Sequence, residues 1–342
     1  MTYIVQASEK VRGIGADYET KAMLYLMNFH PDSQEISYFA IDFFNDVTGL
    51  NSYADKAWDV QSKGTKGSGP KDIGRELVTL FKNYVSELNF DCLILFLATA
   101  PPSLRKDNTI ITFGIENITE RALKSLKTGL IEEANEKEYI DNTQITETNI
   151  DAFLKRVIFV VDNKTKADYI RNTVKFSQKY IPEDNVLDGI FNTIRDKQAS
   201  KKNNSSVEGV SVEHHRDVFC YDRIIGVREI QLLVINKIIN HDLMGNGIPV
   251  YFIPVIHNYD ALRQKDVVED CQLKLSTLLY DKSQTEDFWT LMDIIATAVE
   301  KYKNLGVIDT YTKIEHNRAV HNPRLDIMAI YYLIAVMKEA LP

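Results

Sequence analysis

A chain of 342 residues, 44% hydrophobic and 26% charged, can bury one large core or two ordinary ones, and this balance excludes disorder throughout. The net charge of -8 argues against a protein that grips nucleic acid unaided, because non-specific affinity comes mainly from lysines and arginines that neutralise phosphates. It suits an enzyme whose basic groups gather in one cleft, or whose DNA is delivered by a partner. No run approaches the roughly eighteen apolar residues of a membrane span. The opening MTYIVQASEKVRGIG also lacks the basic and apolar blocks of a signal peptide, so a cytoplasmic protein with no membrane partner is expected. Cys92, Cys220 and Cys271 lie far apart and outside any CxxC pair, and are expected to be reduced structural thiols.

The first predicted helix starts near Gly15 and runs to Phe29, with Ala22, Leu26 and Phe29 at helical spacing and Pro31 beyond its end. Glu19 falls in its first turn, where the helix dipole favours a carboxylate. Ser37 to Gly69 reads as two strands joined by a polar turn, with Thr48-Gly49-Leu50-Asn51 as the turn signal. On the second strand, Ala57 to Lys63, alternation puts Asp59, Gln61 and Lys63 on one face and Trp58, Val60 and Ser62 on the other. Asp46 ends the first strand and is expected to fold back beside them. Asp42, four residues earlier on that strand, is expected to be structural.

After Lys63 the loop GTKGSGPKD, with Lys66 and Lys71, lacks the GK[ST] ending of a P-loop, so a flexible loop near DNA is expected and a nucleotide site is not. A helix then begins at Pro70 or Asp72, burying Ile73, Leu77, Leu80, Phe81, Tyr84 and Leu88. Phe90 to Ala100, FDCLILFLATA, has no polar alternation and predicts a central buried strand stopped by Pro101 and Pro102. Further on come a helix over Asn117 to Leu130 capped by Thr119, a solvated acidic segment over Glu132 to Asp151, and a strand over Arg156 to Asp162. A helix over Lys166 to Tyr180 and a short one over Asp188 to Asp196 follow. Gln198 to Gly209 is the clearest linker, giving an α/β domain over 1–200 and a mainly helical C-terminal domain over 210–342. Within the latter, Ile248 to Ile256 is strand-like but carries Pro249 and Pro254, which confine it to a sheet edge or an irregular segment. The final helix, Arg324 to Leu341, has an apolar face that must dock on its own domain or on another chain, so a homo-oligomer is expected.

Asp46, Gln61 and Lys63 together make a chemical group. Oxygen ligands hold a hard divalent cation, and an ammonium stands against the water or phosphate oxygen which that cation activates. Asp59 is a further candidate metal ligand, supplying the negative charge that Gln61 lacks. The plain reading of the strand triplet is an exposed face of mixed charge, and a short motif by itself does not decide between the two. His214 and His215 invite comparison with an HNH-like site, but adjacent residues on a strand face opposite ways and no second ligand cluster follows, so a polar loop is expected. His316 and His321 have no catalytic partner in the sequence and read as surface turns.

The Asp46, Gln61, Lys63 group resembles the core of the PD-(D/E)xK nucleases, the restriction-endonuclease-like superfamily, in the variant with glutamine at the second acid. NDV at Asn45 to Val47, followed by VQSKG at Val60 to Gly64, is similar to the double-stranded-DNA endonuclease domain of bacterial antiphage systems. That domain occurs joined to SAVED sensor domains in cyclic-oligonucleotide signalling and as a separate subunit beside HerA-type ATPases. The resemblance extends from the start of the chain to about Pro101-Pro102. It implies an α/β fold with a restriction-endonuclease-like mixed sheet flanked by helices. It also implies a Mg²⁺- or Mn²⁺-dependent DNA endonuclease of antiviral defence, with double-stranded DNA and a HerA-type ATPase as partners. Asp46 and Gln61 would hold the metal, Lys63 would act on the phosphate, and Glu19 would point towards the site from the first helix. Two other readings stay open: a non-cutting structural or regulatory subunit with a nuclease-like fold, and the effector nuclease of a cyclic-oligonucleotide signalling system.

Overall fold

The computed structural model describes residues 3–6, 13–64, 67–203, 206–245, 247–281 and 283–341. The chain forms two compact units, residues 1–169 with 191–227, and residues 170–190 with 228–342. The segment Gln198 to Gly209, expected as the link between domains, falls inside the first unit, and 198–203 are the last turns of a helix.

In chain order the elements are β1 (Tyr3–Ile4), α1 (Gly13–Asn28), β2 (Ile36–Ile41), β3 (Val47–Asn51), β4 (Ala57–Lys63), α2 (Pro70–Arg75), α3 (Val78–Tyr84) and β5 (Cys92–Leu97). There follow β6 (Thr112–Phe113), α4 (Glu120–Glu136), α5 (Glu147–Arg156), β7 (Val157–Val161), α6 (Lys166–Thr173), α7 (Asp184–Asn203), β8 (Ser211–Val212) and β9 (Ile224–Gly226). Seven strands make one mixed sheet in the order β6-β7-β5-β4-β3-β2-β9. The strands β2, β3 and β4 form an antiparallel meander, and β5 and β7 run parallel to β4. β1 and β8 pair separately.

Strand β5 is apolar throughout because both its faces are covered. Leu93, Leu95 and Leu97 share a core with Ile73, Leu80, Phe81, Leu126 and Phe153 of the helices α2 to α5. Phe96 points the other way, its ring 5.6 Å from that of Tyr25 on α1. The same parity on β4 puts Asp59, Gln61 and Lys63 towards α2 and α3, and Trp58, Val60 and Ser62 towards α1.

Thr48 to Asn51, expected as a turn, is strand β3. A Cβ on Gly49 would lie 3.2 Å from Leu26 Cδ1 and 3.3 Å from Ile36 Cδ1, so this glycine marks the close crossing of α1 over the sheet. The reversal between β2 and β3 is instead Asp42 to Asp46, where Asp42 takes φ 48° and its N–H donates to Asp46 O at 3.1 Å. A second close approach joins α2 to α4: a Cβ on Gly74 would stand 2.0 Å from Leu126 O, and one on Gly129 2.0 Å from Lys71 O. The helix expected to run on from Pro70 breaks at Glu76–Leu77 into α2 and α3. The acidic stretch expected to be solvated ends in α5, which buries Ile150, Phe153 and Leu154. Thr119 caps α4 as expected, accepting from Ala122 N at 3.3 Å.

The second unit holds α8 (Val227–Ile238), α9 (Ile253–Ile256), α10 (Ala261–Tyr280), α11 (Thr285–Lys301), α12 (Val307–Thr312) and α13 (Ile327–Ala340), and no strand among the described residues. Ile248 to Ile256 is a 3-10 turn leading into α9. Its prolines sit at the N-cap of the turn and in the first turn of α9, where an absent N–H removes no hydrogen bond. Helix α13 buries its apolar face against α10, α11 and α12 of its own unit. No helix among the described residues is long and apolar enough to cross a membrane.

Candidate active site

The register of β3 on β4 pairs Val47 with Val60 and Thr48 with Asp59, which continues to Asp46 opposite Gln61. Asp46 is buried, and its Oδ2 accepts from Gln61 Nε2 at 3.0 Å, Ser62 N at 2.8 Å and Ser62 Oγ at 2.9 Å. Its Oδ1 receives no hydrogen bond from the described residues. Gln61 Oε1 accepts from Thr79 Oγ1 of α3 at 2.8 Å. Lys63 lies further along the same strand, its Nζ 2.8 Å from Oε2 of Glu76, the residue capping α2.

Asp59 sits in a buried hydrogen-bond network. It is 0% exposed, and its oxygens accept from Thr48 Oγ1 at 2.8 Å, Asn45 Nδ2 at 3.2 Å and Asn83 Nδ2 at 2.7 Å. Burial pushes its carboxyl up to about 6 despite those bonds. Asn83 in turn accepts from the Tyr3 hydroxyl at 2.9 Å, which also takes a bond from Lys82 Nζ at 2.9 Å. Asp59 therefore ties β4 to β3, α3 and, through Asn83 and Tyr3, β1.

Glu19 does approach Asp46, from the α1 side of the sheet. Helix α1 starts earlier than expected, so Glu19 lies beyond its first turn and the dipole does not account for it. Lys202 Nζ of α7 stands 3.6 Å from Glu19 Oε1 and 3.3 Å from Asp42 Oδ1, and Arg223 Nη1 is 3.4 Å from Asp42 Oδ2. Burial first, and then the negative Asp46, push Glu19 up to about 7 against the pull of Lys202. Asp42 is structural, as expected, but it sits in the β2–β3 turn held by two cations and not on a strand.

No group of three His, Cys, Asp or Glu that could hold a metal ion comes together among the described residues. The donors present, Asp46 and Glu19 with the Gln61 amide, are oxygens, the kind a hard cation such as Mg²⁺ takes, one or two carboxylates at a time with several waters kept. They do not make a closed zinc site. The Gln61 amide faces Asp46 with its nitrogen, so it must turn over to offer oxygen to a cation there. Thr79 permits this, since a hydroxyl that donates to Oε1 can equally accept from Nε2.

Ser62, Thr79, Asn83 and Lys202 were not evident from sequence reasoning. Thr79 and Asn83, one turn apart on α3, carry a detectable signal, a polar pair on a helix that must cover a strand. Lys202 carries none, because its segment reads as linker. Beside this network is a cavity of about 20 Å³, room for roughly one water, lined by Gln6, Asp42, Asn45, Thr79, Lys82 and Tyr139 among others.

His215 is not in a polar loop. It is buried against the rings of Phe44 and Phe90, with centroids 5.4 and 4.8 Å away, and burial pushes it down to about 4, which leaves no HNH-like site. His316 and His321 are exposed, as expected of surface turns. The three cysteines are free. Of the glycine-rich loop, Thr65 and Lys66 lie outside the described residues. Comparisons with protein-family models, with curated proteins and with solved structures find no match for this chain.

Proposed function

We propose that this chain is a Mg²⁺- or Mn²⁺-dependent DNA endonuclease of restriction-endonuclease-like architecture, acting on double-stranded DNA in antiphage defence. The observation that carries the reading is Asp46 of the β2–β3 turn hydrogen-bonded to Gln61 of β4, with Lys63 next on that strand face and Glu19 of α1 within electrostatic reach of Asp46. The order of elements supports it: a helix, a three-strand meander, covering helices, then β5 parallel to β4.

A divalent cation held there would supply Lewis acidity and a nucleophile at neutral pH. Asp46, Glu19 and the turned-over Gln61 amide oxygen would hold it. Lys63, on leaving Glu76, places its charge against the phosphate, where negative charge grows in the transition state. The net charge of -8 favours delivery of DNA by a partner, for which a HerA-type ATPase is proposed, with the helical unit serving assembly or partner binding, including a homo-oligomer.

Plasmid DNA incubated with the protein, alone and with such an ATPase, in Mg²⁺, Mn²⁺ or EDTA tests the reading. Nicked or linear DNA in either metal, and intact DNA in EDTA, is the expected result. Intact plasmid in every combination overturns it. One observation favours the second reading, a non-cutting subunit: Lys63 pairs with Glu76 and Lys202 with Glu19, so both lysines and two of the acids have ion-pair partners without a metal.

A further inference from the structure

The acids around Asp46 already have a cation among them. Lys202 is only 9% exposed, yet its ammonium makes ion pairs with Glu19 and Asp42, whose side chains are 17% and 5% exposed. Buried carboxylates this close together are tolerated only with positive charge between them. The two pairs are not equivalent. Asp42 keeps Arg223 as a second partner, whereas Lys202 is the ion-pair partner found for Glu19 among the described residues. Glu19 is thus the acid that a newly arriving cation would take from Lys202.

We propose that Lys202 is the resident counter-ion of this acid cluster, and that a divalent cation binds by displacing its ammonium from Glu19. The inference rests on the cation-site reading above and adds to it a residue that sets metal affinity. An ammonium and a divalent cation a few ångströms apart repel strongly inside a protein, so both cannot sit against Glu19. Lysine suits this task. Its flexible four-carbon stem lets the charge swing away while staying near Asp42, and the C-terminal turn of α7, where Lys202 sits, favours a cation through the helix dipole. Lys202 offsets the charge of Glu19 and Asp42 without metal, and cation binding is weakened to the extent that Lys202 must be moved.

The test is Mn²⁺ affinity of the full-length protein without DNA, by calorimetry or by electron paramagnetic resonance of free Mn²⁺. Lys202→Met keeps the stem and removes the charge, and is expected to bind Mn²⁺ about tenfold tighter or more, on the scale of a removed like charge. Lys202→Arg keeps the charge and grips carboxylates with a fork, and is expected to bind severalfold more weakly. Asp46→Asn is the control for the site itself and is expected to abolish binding. Wild-type binding that Asp46→Asn abolishes, with Lys202→Met unchanged or weaker, overturns the role of Lys202 and leaves the cation site standing. Absence of Mn²⁺ binding in every protein overturns both. If Lys202→Met fails to fold by circular dichroism, the arginine variant decides, and binding at or above the wild-type level there overturns the proposal.

Discussion

Asp59→Ala strips the acceptor from three donors inside the interface between sheet and helix, Thr48 Oγ1, Asn45 Nδ2 and Asn83 Nδ2. Each buried donor left unpaired costs about 1–3 kcal/mol, so the variant is expected to lose at least ~3 kcal/mol in urea melts. Asp59→Asn behaves differently: its oxygen serves the two amides and its NH₂ donates to Thr48, whose hydroxyl can accept. It also removes a buried charge. Asp59 titrates near 6 against an ordinary value of 3.8, so its stabilising contribution is complete below 3.8 and is lost as pH rises through 6. The ionised form then costs about 3 kcal/mol at pH 8, taking 1.36 kcal/mol per pKa unit as an order of magnitude. Urea melts from pH 4 to 8 should show the wild type losing that stability and Asp59→Asn holding it; parallel curves would sink the assignment. At the candidate site, Asp46→Ala is expected to abolish DNA cleavage, Gln61→Glu to be tolerated, and Lys63→Ala to cost on the order of 100-fold in rate. Cleavage by Lys63→Ala at the wild-type rate removes Lys63 from the mechanism. The alternation of Asp59, Gln61 and Lys63 is legible in the sequence because a strand has period two. Which of them meets solvent is not, since Asp59 reads the same whether α3 covers it or water does.

At the level of elements, α2 and α4 meet backbone to backbone, and the two glycines at their crossing are the reason. The methyl of Gly74→Ala would stand 2.0 Å from Leu126 O, an atom of a helix backbone that cannot rotate aside. The helices must separate, at about 1–3 kcal/mol or more for overpacking. With about 2–4 °C per kcal/mol, melting should fall by roughly 2–12 °C. Gly69→Ala is the control, as its Cβ meets nothing nearer than Asp72 Oδ2 at 3.6 Å. Equal melting of the two variants by circular dichroism would show that the crossing is looser than described. Sequence made β5 plain through its unbroken apolar run, and α4 through Thr119. Gly49 misled because a glycine in a strand and a glycine in a turn leave the same letter, and only the approach of Leu26 tells them apart. β6, β8 and β9 are too short to show any period at all. In Ile248 to Ile256, the prolines that count against a central strand are equally at home in the first turn of a helix.

For the whole molecule, the two units are not consecutive stretches of chain. The first is left at Tyr169 and resumed at Phe191, and the intervening 170–190 belongs to the second unit. Nothing in the composition of 170–190 announces this, whereas the small polar residues of 198–209 announce a boundary in a stretch that lies inside the first unit. In 170–190, Ile170, Val174, Phe176, Leu187 and Ile190 are buried. The segment is also held by Ser177 N to Asp293 Oδ1 at 2.8 Å and Tyr180 Oη to Glu300 Oε2 at 3.0 Å. A chain ending at Val227 keeps Glu19, Asp42, Asp46, Gln61, Lys63, Thr79 and Lys202, and so keeps every residue of the candidate site. It nonetheless uncovers those five apolar side chains, each worth about 1.5–3 kcal/mol when fully buried. That truncated chain is therefore expected to bind a hydrophobic dye and to self-associate in light scattering, while the full chain does neither to the same degree. A chain ending at Ser200, at the apparent boundary, should fare worse, because it also loses Lys202, Arg223 and the edge strand β9. If the chain ending at Val227 is monodisperse, silent to the dye and melts like the full protein, then 170–190 is not integral to the helical unit and the division of the molecule must be redrawn.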